Sequence, residues 1–581
     1  MLKPKLKKLI PISQWLPAYS RDDLPGDLSA GFIVAIVLIP QSMAYAMLAG
    51  LPPQIGLYSS VLPLLIYGVF GSSRALAVGP VGLVSLMTGT AIADLNLSHS
   101  DEIVTITLVL AFLMGVFLLL LRMFRLSTIT KFLSHPVMSG FTSAAAVLIL
   151  MSQVKHLFGI EMPSTRSPSE FFSFFVEEIS SLNLFTSILG FLSIFILVFL
   201  KNHLKPLAEK RDWGREKLFN IISKSGPFVV VTVGIFASWF FSLRDSQAVE
   251  IIGHIPPGLP SLTVPTFDTK LWVELFSISA LMAVIGFFES VSVAKAIATR
   301  KRQRIDANQE SVALGLANIG SSVSGGMPVA GGFARSFVNF SAGANTPLAS
   351  ILTAIIVAFG LLFFTQILSF LPRSVLAAII VVAVVALIDF QSIKEAWTYS
   401  KSDATAIVVT FFGVLFFGIE NGILAGVIFS IGQYLHRSST PHVVVVGRVG
   451  NTEHYRNAKR HQVVTYDSIL AVRIDESLYF ANTNYLEENI INLIADNPKV
   501  SDVVIICSAI NFIDTSALHS LETIAHLLKT VNVKLHFASV KGPIMDRLLK
   551  SESLEKICTG RVYFSTHAAI QDLSKQNSQS S

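Results

Sequence analysis

The chain has 581 residues, 52% of them hydrophobic and 14% charged, roughly half the charged share of an ordinary soluble domain. With 2 Cys and 24 Pro it is neither a disulfide scaffold nor a collagen-like or low-complexity chain, which leaves a polytopic membrane protein. The net charge of +6 lies wholly outside the last 144 residues, where 14 basic residues balance 14 acidic ones; it therefore bears on membrane orientation, and with no basic face interleaved with aromatics it does not describe a nucleic-acid binder.

Residues 1–27 carry Lys3, Lys5, Lys7 and Lys8 among Pro4, Pro11 and Pro17, and read as a cytoplasmic segment without the apolar core of a signal peptide. Apolar stretches of bilayer-crossing length then follow at 28–50, 53–71, 75–93, 103–124, 132–154, 183–200, 227–243, 271–297, 308–324, 328–341, 346–369, 374–390, 405–419 and 421–436. These make fourteen spans in a transmembrane domain over 28–437. Lys and Arg are retained on the cytoplasmic side, and with the N-terminus inside, 24 of the 30 basic residues of this part fall there, seven within 201–224 and five within 295–304. Lys155, Arg166, Arg244, Lys270 and Arg373 fall outside, and Arg335 lies within a span. Both termini are thus expected in the cytoplasm, and the compact tail and short loops suit a bacterial inner (plasma) membrane.

The third span, RALAVGPVGLVSLMTGTAI, and the tenth, SGGMPVAGGFARSFVNF, open with Gly and Pro at hydrocarbon depth, where irregular backbone survives only against protein or a cavity. Aligning IPQSMAYA with FFESVSVA sets Gln41 opposite Glu289, an offset of 248 that also sets Pro80 opposite Pro328. Paired broken helices in two halves point to a transporter built of inverted repeats, here seven spans each. Two half-helices meeting near the midplane would aim their N-terminal amides at one point and favour an anion there.

Arg335, in GGFARSFVN, is an intramembrane cation and functional by default; its guanidinium can meet an oxyanion bidentately. The alternatives are an Arg that snorkels to the surface or pairs with Glu289. Glu289, in LMAVIGFFESVSVAKAIATR, is the matching acid and can carry a proton with the anion. Gln41 and Tyr45 are four apart on one helix face and can orient a ligand by amide and phenol. Gly79, Gly82, Gly331, Gly332, Ala334 and Ser336 permit close backbone approach. Asp389 and Glu420 read as interfacial, and His135 as a loop or cap residue. No His/Cys cluster has metal-ligand spacing, and neither a phosphate-binding loop nor a nucleophile signature is present. An enzyme, an ATP-driven pump and a bound cofactor are therefore not expected.

From Ile469 the pattern changes to short alternating elements: ILAVRID, NTNYLEENIINLIADN, DVVIICSAI, DTSALHSLETIAHLLKT, VKLHFASV and GPIMDRLLKSE. This reads as a cytoplasmic α/β domain over 438–575 with a partly parallel sheet, followed by a disordered tail at 576–581. Asp514, ahead of Thr515 and Ser516, has N-cap chemistry, and Cys507 falls in a strand that should be buried.

The stretches IPQSMAYAMLAGLPPQIGLYSS, SHPVMSGFTSAAAV, FFESVSVAKAIA, ANQESVALGLANIGSSVSGGMPVAGGFARS and FIDTSALHSL together resemble the SulP family of anion transporters. The resemblance implies a seven-plus-seven inverted repeat divided into core and gate domains, a cytoplasmic STAS domain, a homodimer and elevator-type alternating access. It also implies an anion site formed by Gln41, Tyr45, Val81, Ala334, Arg335 and Ser336. Many relatives carry Ser where this chain has Ala334, which removes one hydroxyl contact. The sodium-coupled bicarbonate branch looks to have Asp and Thr where Glu289 and Val293 stand, so their replacement favours protons as the coupling ion. The resulting expectation is proton-coupled symport of sulfate, with bicarbonate or a C4-dicarboxylate such as fumarate or succinate as alternative substrates. An uncoupled anion channel or exchanger on the same scaffold, a nucleobase carrier and a flux-free membrane sensor are the rival classes. The STAS domain would offer a surface to a cytoplasmic protein partner.

Overall fold

Proline decides where several helices of this chain begin and end. Pro25 opens α1 (Leu24–Leu48), where its missing amide is not needed. Pro52 and Pro53 turn the chain into α2 (Pro53–Tyr58), and Pro63 lies in the first turn of α3 (Leu62–Phe70). The computed structural model describes residues 10–95, 100–124, 134–162, 168–202, 225–243 and 249–579. Lys3 to Lys8, most of the basic run at 201–224, Arg166, Arg244 and the first residues of the fifth span lie outside the described residues.

The chain continues through β1 (Val78–Gly79), α4 (Gly82–Asp94), α5 (Ser100–Met123), α6 (His135–Phe158), α7 (Pro168–Glu178), α8 (Leu184–Asn202), α9 (Gly226–Phe240), α10 (Thr269–Arg300), α11 (Ala307–Val323), β2 (Ala330–Gly331), α12 (Phe333–Ser341), α13 (Leu348–Phe363), α14 (Arg373–Val385), α15 (Phe390–Tyr399), α16 (Lys401–Phe417) and α17 (Ile419–Ser439). Every expected span meets a helix or a helix pair. Seven helical segments among the described residues are long and apolar enough to cross a bilayer alone. The third and tenth are not: α4 has 13 residues and α12 has 9, which at 1.5 Å per residue reach about 20 and 14 Å.

Among the described residues, two helices longer than a single turn fall outside the expected spans. Phe171 is the buried residue of α7, a helix otherwise turned outward. The twelfth span was expected to reach 390 but stops at Val385, because Asp389 caps a new helix, α15, by accepting from the Ser392 amide at 2.9 Å. His135 opens α6, and the cap is its neighbour Ser134.

Within the membrane part, α5 and α11 approach closely where two glycines meet: a Cβ on Gly115 would stand 2.7 Å from the Gly315 carbonyl oxygen. Ser311 and Ser322 fasten the pair, donating to the Leu118 and Leu108 carbonyls at 2.5 and 2.7 Å. Elsewhere α8, α9 and α14 pack on one another through Leu189, Val230 and Val375, and α9 and α14 also meet α1.

The chain divides into two compact units between Ile428 and Phe429. The second holds β3 (Val443–Arg448), β4 (Tyr455–Asn457), β5 (Ile469–Ile474), α18 (Thr483–Ala495), β6 (Asp502–Ile506), α19 (Thr515–Thr530), β7 (Lys534–Ala538), α20 (Gly542–Lys550), α21 (Leu554–Ile557), β8 (Val562–Tyr563) and α22 (Thr566–Gln579). Its sheet runs β4-β3-β5-β6-β7-β8. β5 to β8 are parallel, as expected, while β3 and β4 add an antiparallel edge ahead of Ile469. Both faces are covered: Val503 and Ile505 pack toward Leu521 and Ile524, and Val504 and Ile506 toward Ile570 and Leu573. That is why β6 reads as an unbroken apolar run and not as an alternation. Asp514 caps α19 by accepting from the Ala517 amide at 2.8 Å, and leaves Thr515 and Ser516 exposed. Burial pushes the Cys507 thiol up to about 12, where a thiol is inert at neutral pH.

One boundary is corrected. The segment from 576 was expected to be disordered, yet α22 runs to Gln579, and the Asn577 amide donates to Ser468 and Asp502 at 3.1 and 3.3 Å. A polar residue cannot reveal by itself that it has found partners across a sheet.

Candidate functional site

The site begins with two backbone arms that cannot be helical. Pro80 and Pro328 each disfavour helix at the residue before them, so the chain on each side runs extended until α4 and α12 begin. Val78 pairs with Gly331 and Gly79 with Ala330 in an antiparallel ladder, and the Gly332 amide adds a bond to the Ala77 carbonyl at 3.1 Å. The half-helix starts, Gly82 and Phe333, are 251 residues apart. This differs from the offset of 248 at which IPQSMAYA aligns with FFESVSVA and Pro80 with Pro328, because the two prolines lie at different distances from the two helix starts. The antiparallel pairing brings two oppositely running elements together, and neither helix start is capped by a side chain. Their first amides are therefore available to a ligand.

Arg335, the third residue of α12, bends back over this junction. It is 2% exposed, so it does not snorkel. Its Nη1 donates to the Pro80 carbonyl at 2.7 Å, tying one half-helix to the arm of the other. Its Nε and Nη2 are buried and have no hydrogen-bond partner. The guanidinium lies flat on two glycines: a Cβ on Gly332 would stand 3.0 Å from Nη2, and one on Gly79 3.3 Å. Gly79, at φ +153°, also holds a conformation that side chains rarely allow.

The other expected residues divide into those that face the junction and those that build it. Tyr45 on α1 packs its ring edge 3.4 Å from where a Gly82 Cβ would stand, and Gln41, 7% exposed, lies one turn earlier on the same helix. Val81 is the buried residue immediately before α4, and Ala334 is exposed at the start of α12. Ser336 builds: its Oγ accepts from the Ala77 amide at 2.9 Å and donates to the Gly332 carbonyl at 2.7 Å. Glu289 on α10 forms no ion pair with Arg335, and its Oε2 is buried without a hydrogen-bond partner. Tyr45, Glu289 and Arg335 are nonetheless near one another.

Sequence reasoning missed the groups that hold the two arms. Ser290, next to Glu289, accepts from the Gly331 amide at 2.8 Å. Asn318 on α11 clasps Val329 on both sides, donating to its carbonyl and accepting from its amide, each at 2.9 Å. Glu310, on the same helix and 0% exposed, grips the other arm. It accepts from Tyr67 Oη at 2.7 Å, the Ser72 amide and hydroxyl at 2.8 and 2.7 Å, and the Ser73 amide at 2.9 Å. The rule that found Glu289, a carboxylate inside an apolar span, also finds Glu310.

Glu310→Ala would leave these donors unmatched, and a buried donor without a partner costs about 1–3 kcal/mol. We expect the variant to lower the thermal midpoint of the purified protein measurably. An unchanged midpoint would show that the clamp does not hold the arm.

Residues 24–410 match the model of the sulfate permease family, and residues 460–569 that of the STAS domain. The chain belongs to the sulfate permease family. It is 35% identical over 559 residues to probable sulfate transporter 4.2 of Arabidopsis thaliana, covering 94% of this chain and 80% of that one. It is 33% identical over 576 residues to sulfate transporter 4.1, chloroplastic, of the same plant, covering 97% and 82%. The structure of SLC26A9 superposes with a TM-score of 0.88 at 23% identity, over 99% of this chain and 94% of that one. The transmembrane domain of the cyanobacterium bicarbonate transporter BicA superposes at 0.59 and 20% identity, over 71% and 99%. The fold is therefore the one expected: a polytopic helical membrane protein of fourteen spans in inverted halves, with two broken half-helices and a C-terminal STAS domain. Its family is one of transporters and not of enzymes.

Proposed function

We propose that the protein is a secondary active transporter that carries sulfate together with protons by elevator-type alternating access. The observation that carries the reading is Arg335, a buried guanidinium with two unpartnered nitrogens where two uncapped helix N-termini meet. Such a site favours a compact anion with several acceptor oxygens, because each unpartnered donor gains a charge-assisted bond. The relatives named as sulfate transporters support sulfate. Glu289 supports proton coupling: a buried carboxylate beside the anion site can neutralise itself as the anion enters, and a channel has no need of one.

Alternating access is supported by how the site is fastened. The arms hang from α10 and α11 through Ser290, Asn318 and Glu310, and α11 is bolted to α5. They can therefore move as one body past α8, α9 and α14, as an elevator requires. The uneven distribution of Lys and Arg supports cytoplasmic termini in an inner (plasma) membrane, and the likeness to SulP proteins supports a homodimer, with the STAS surface left to a cytoplasmic protein partner.

The test is radiolabelled sulfate uptake into proteoliposomes under an inward proton gradient, with and without excess cold bicarbonate, fumarate or succinate. Gradient-driven accumulation of sulfate is the expected result. Accumulation of a competitor in place of sulfate would replace the substrate, and no movement of any anion would overturn the reading.

A further inference from the structure

A second cluster of basic groups lies away from the half-helices. A cleft of about 360 Å³ is lined by the apolar Met47, Leu51, Ile103 and Ile252 together with Lys155, His156 and Arg373. Lys155 and His156 belong to the last turn of α6, and Arg373 is the first residue of α14. The charge asymmetry of the sequence puts this face outside.

Position links the cleft to the anion site. Met47 is six residues beyond Gln41 and two beyond Tyr45 on α1, which at 1.5 Å per residue is about 9 and 3 Å along the helix axis. Chemistry links it too. Lys155 and Arg373 come from different helices and are close enough to repel each other, and among the described residues no carboxylate lines the cleft. Glu250 pairs with Arg373 at 2.9 Å, with both side chains well exposed, and its charge also reaches Lys155, so one carboxylate stands against two cations. Lys155 Nζ has a single long contact, 3.5 Å, to the Met162 carbonyl.

A plainer account is that Lys155 and His156 complement the dipole at the end of α6. It explains one cation at a helix end. It does not explain why Arg373, at the start of another helix, is brought to the same cleft.

We propose that this cleft is a second anion-binding site, an antechamber in which Lys155 and Arg373 capture a divalent oxyanion and deliver it along α1 to Tyr45 and Gln41. The inference rests on the transport reading and assigns residues that the central site does not use. Charges at a rim act on encounter more than on final affinity, and their reach in salt is about 8–10 Å. The captured anion therefore matters for uptake from this face alone.

The test compares initial rates of labelled sulfate entry into intact spheroplasts and into inverted membrane vesicles of one expression host, which expose opposite faces. Lys155→Gln and Arg373→Gln are each expected to raise the KM at the cleft face about five-fold, as loss of a steering charge does, and to shift it less than two-fold at the other. Lys155→Arg should restore it, high salt should shrink the difference, and Lys270→Gln, a basic position outside the cleft, should change neither KM. Wild-type transport with an unaltered KM in both Gln variants, or an equal rise at both faces, overturns the antechamber alone. A wild-type chain that moves no anion overturns the transport reading and this inference with it.

Discussion

Arg335→Ala is expected to abolish measurable sulfate binding while leaving the protein folded. The guanidinium has Nε and Nη2 buried without partners, and if they hold the anion as proposed, losing a pair of charge-assisted bonds of about 1.5–3 kcal/mol each corresponds to a hundredfold or greater loss of affinity. The structural share of the side chain is smaller: one bond to the Pro80 carbonyl, while the arms keep their ladder and the clamps from Ser290, Asn318 and Glu310. Scintillation-proximity binding of labelled sulfate, read beside the thermal midpoint of the same sample, separates the two contributions. Unchanged affinity in a folded variant would remove Arg335 from the site. Arg335→Lys is expected to bind weakly, since a point charge cannot reproduce the planar fork.

Glu289→Gln is expected to separate binding from coupling. The amide keeps the size and much of the polarity of the neutral acid but cannot release a proton. Each pH unit of gradient is worth about tenfold per coupled proton, so a two-unit gradient can drive accumulation of roughly a hundredfold. In the variant the accumulation ratio should fall to near one, while counterflow exchange of labelled for unlabelled sulfate persists. Full accumulation in the variant would remove Glu289 from the proton path.

These two residues were legible in the sequence because each violates its surroundings: a charge among apolar residues is conspicuous without any structure. The broken helices were legible for the same reason, since Gly and Pro at that depth admit no ordinary span. The exact matching of the halves was not. Pro80 and Pro328 mark the two breaks, but the ladder pairs Val78 with Gly331, and backbone register is decided by hydrogen bonds that side chains do not encode. The role of Ser336 was hidden likewise, because a hydroxyl that faces a ligand and one that bridges two arms look the same in a string of letters. In the soluble unit, β3 was overlooked because its run of valines continues the apolar character of the last span. The helical end of α22 was overlooked because its composition is polar and its anchor, Asp502, is 75 residues away in sequence.

The two-residue ladder between β1 and β2 has a consequence for how the protein is made. Val78 leaves the ribosome about 250 residues before its partner Gly331, and at roughly 5–20 residues per second the interval is about 12–50 s. Throughout that time the first arm has no strand to satisfy its amides and carbonyls, and lipid supplies none. The first broken segment must therefore wait in a wet or protein-lined environment until most of the second half has been synthesised. Insertion of this chain cannot be completed span by span in the order of synthesis.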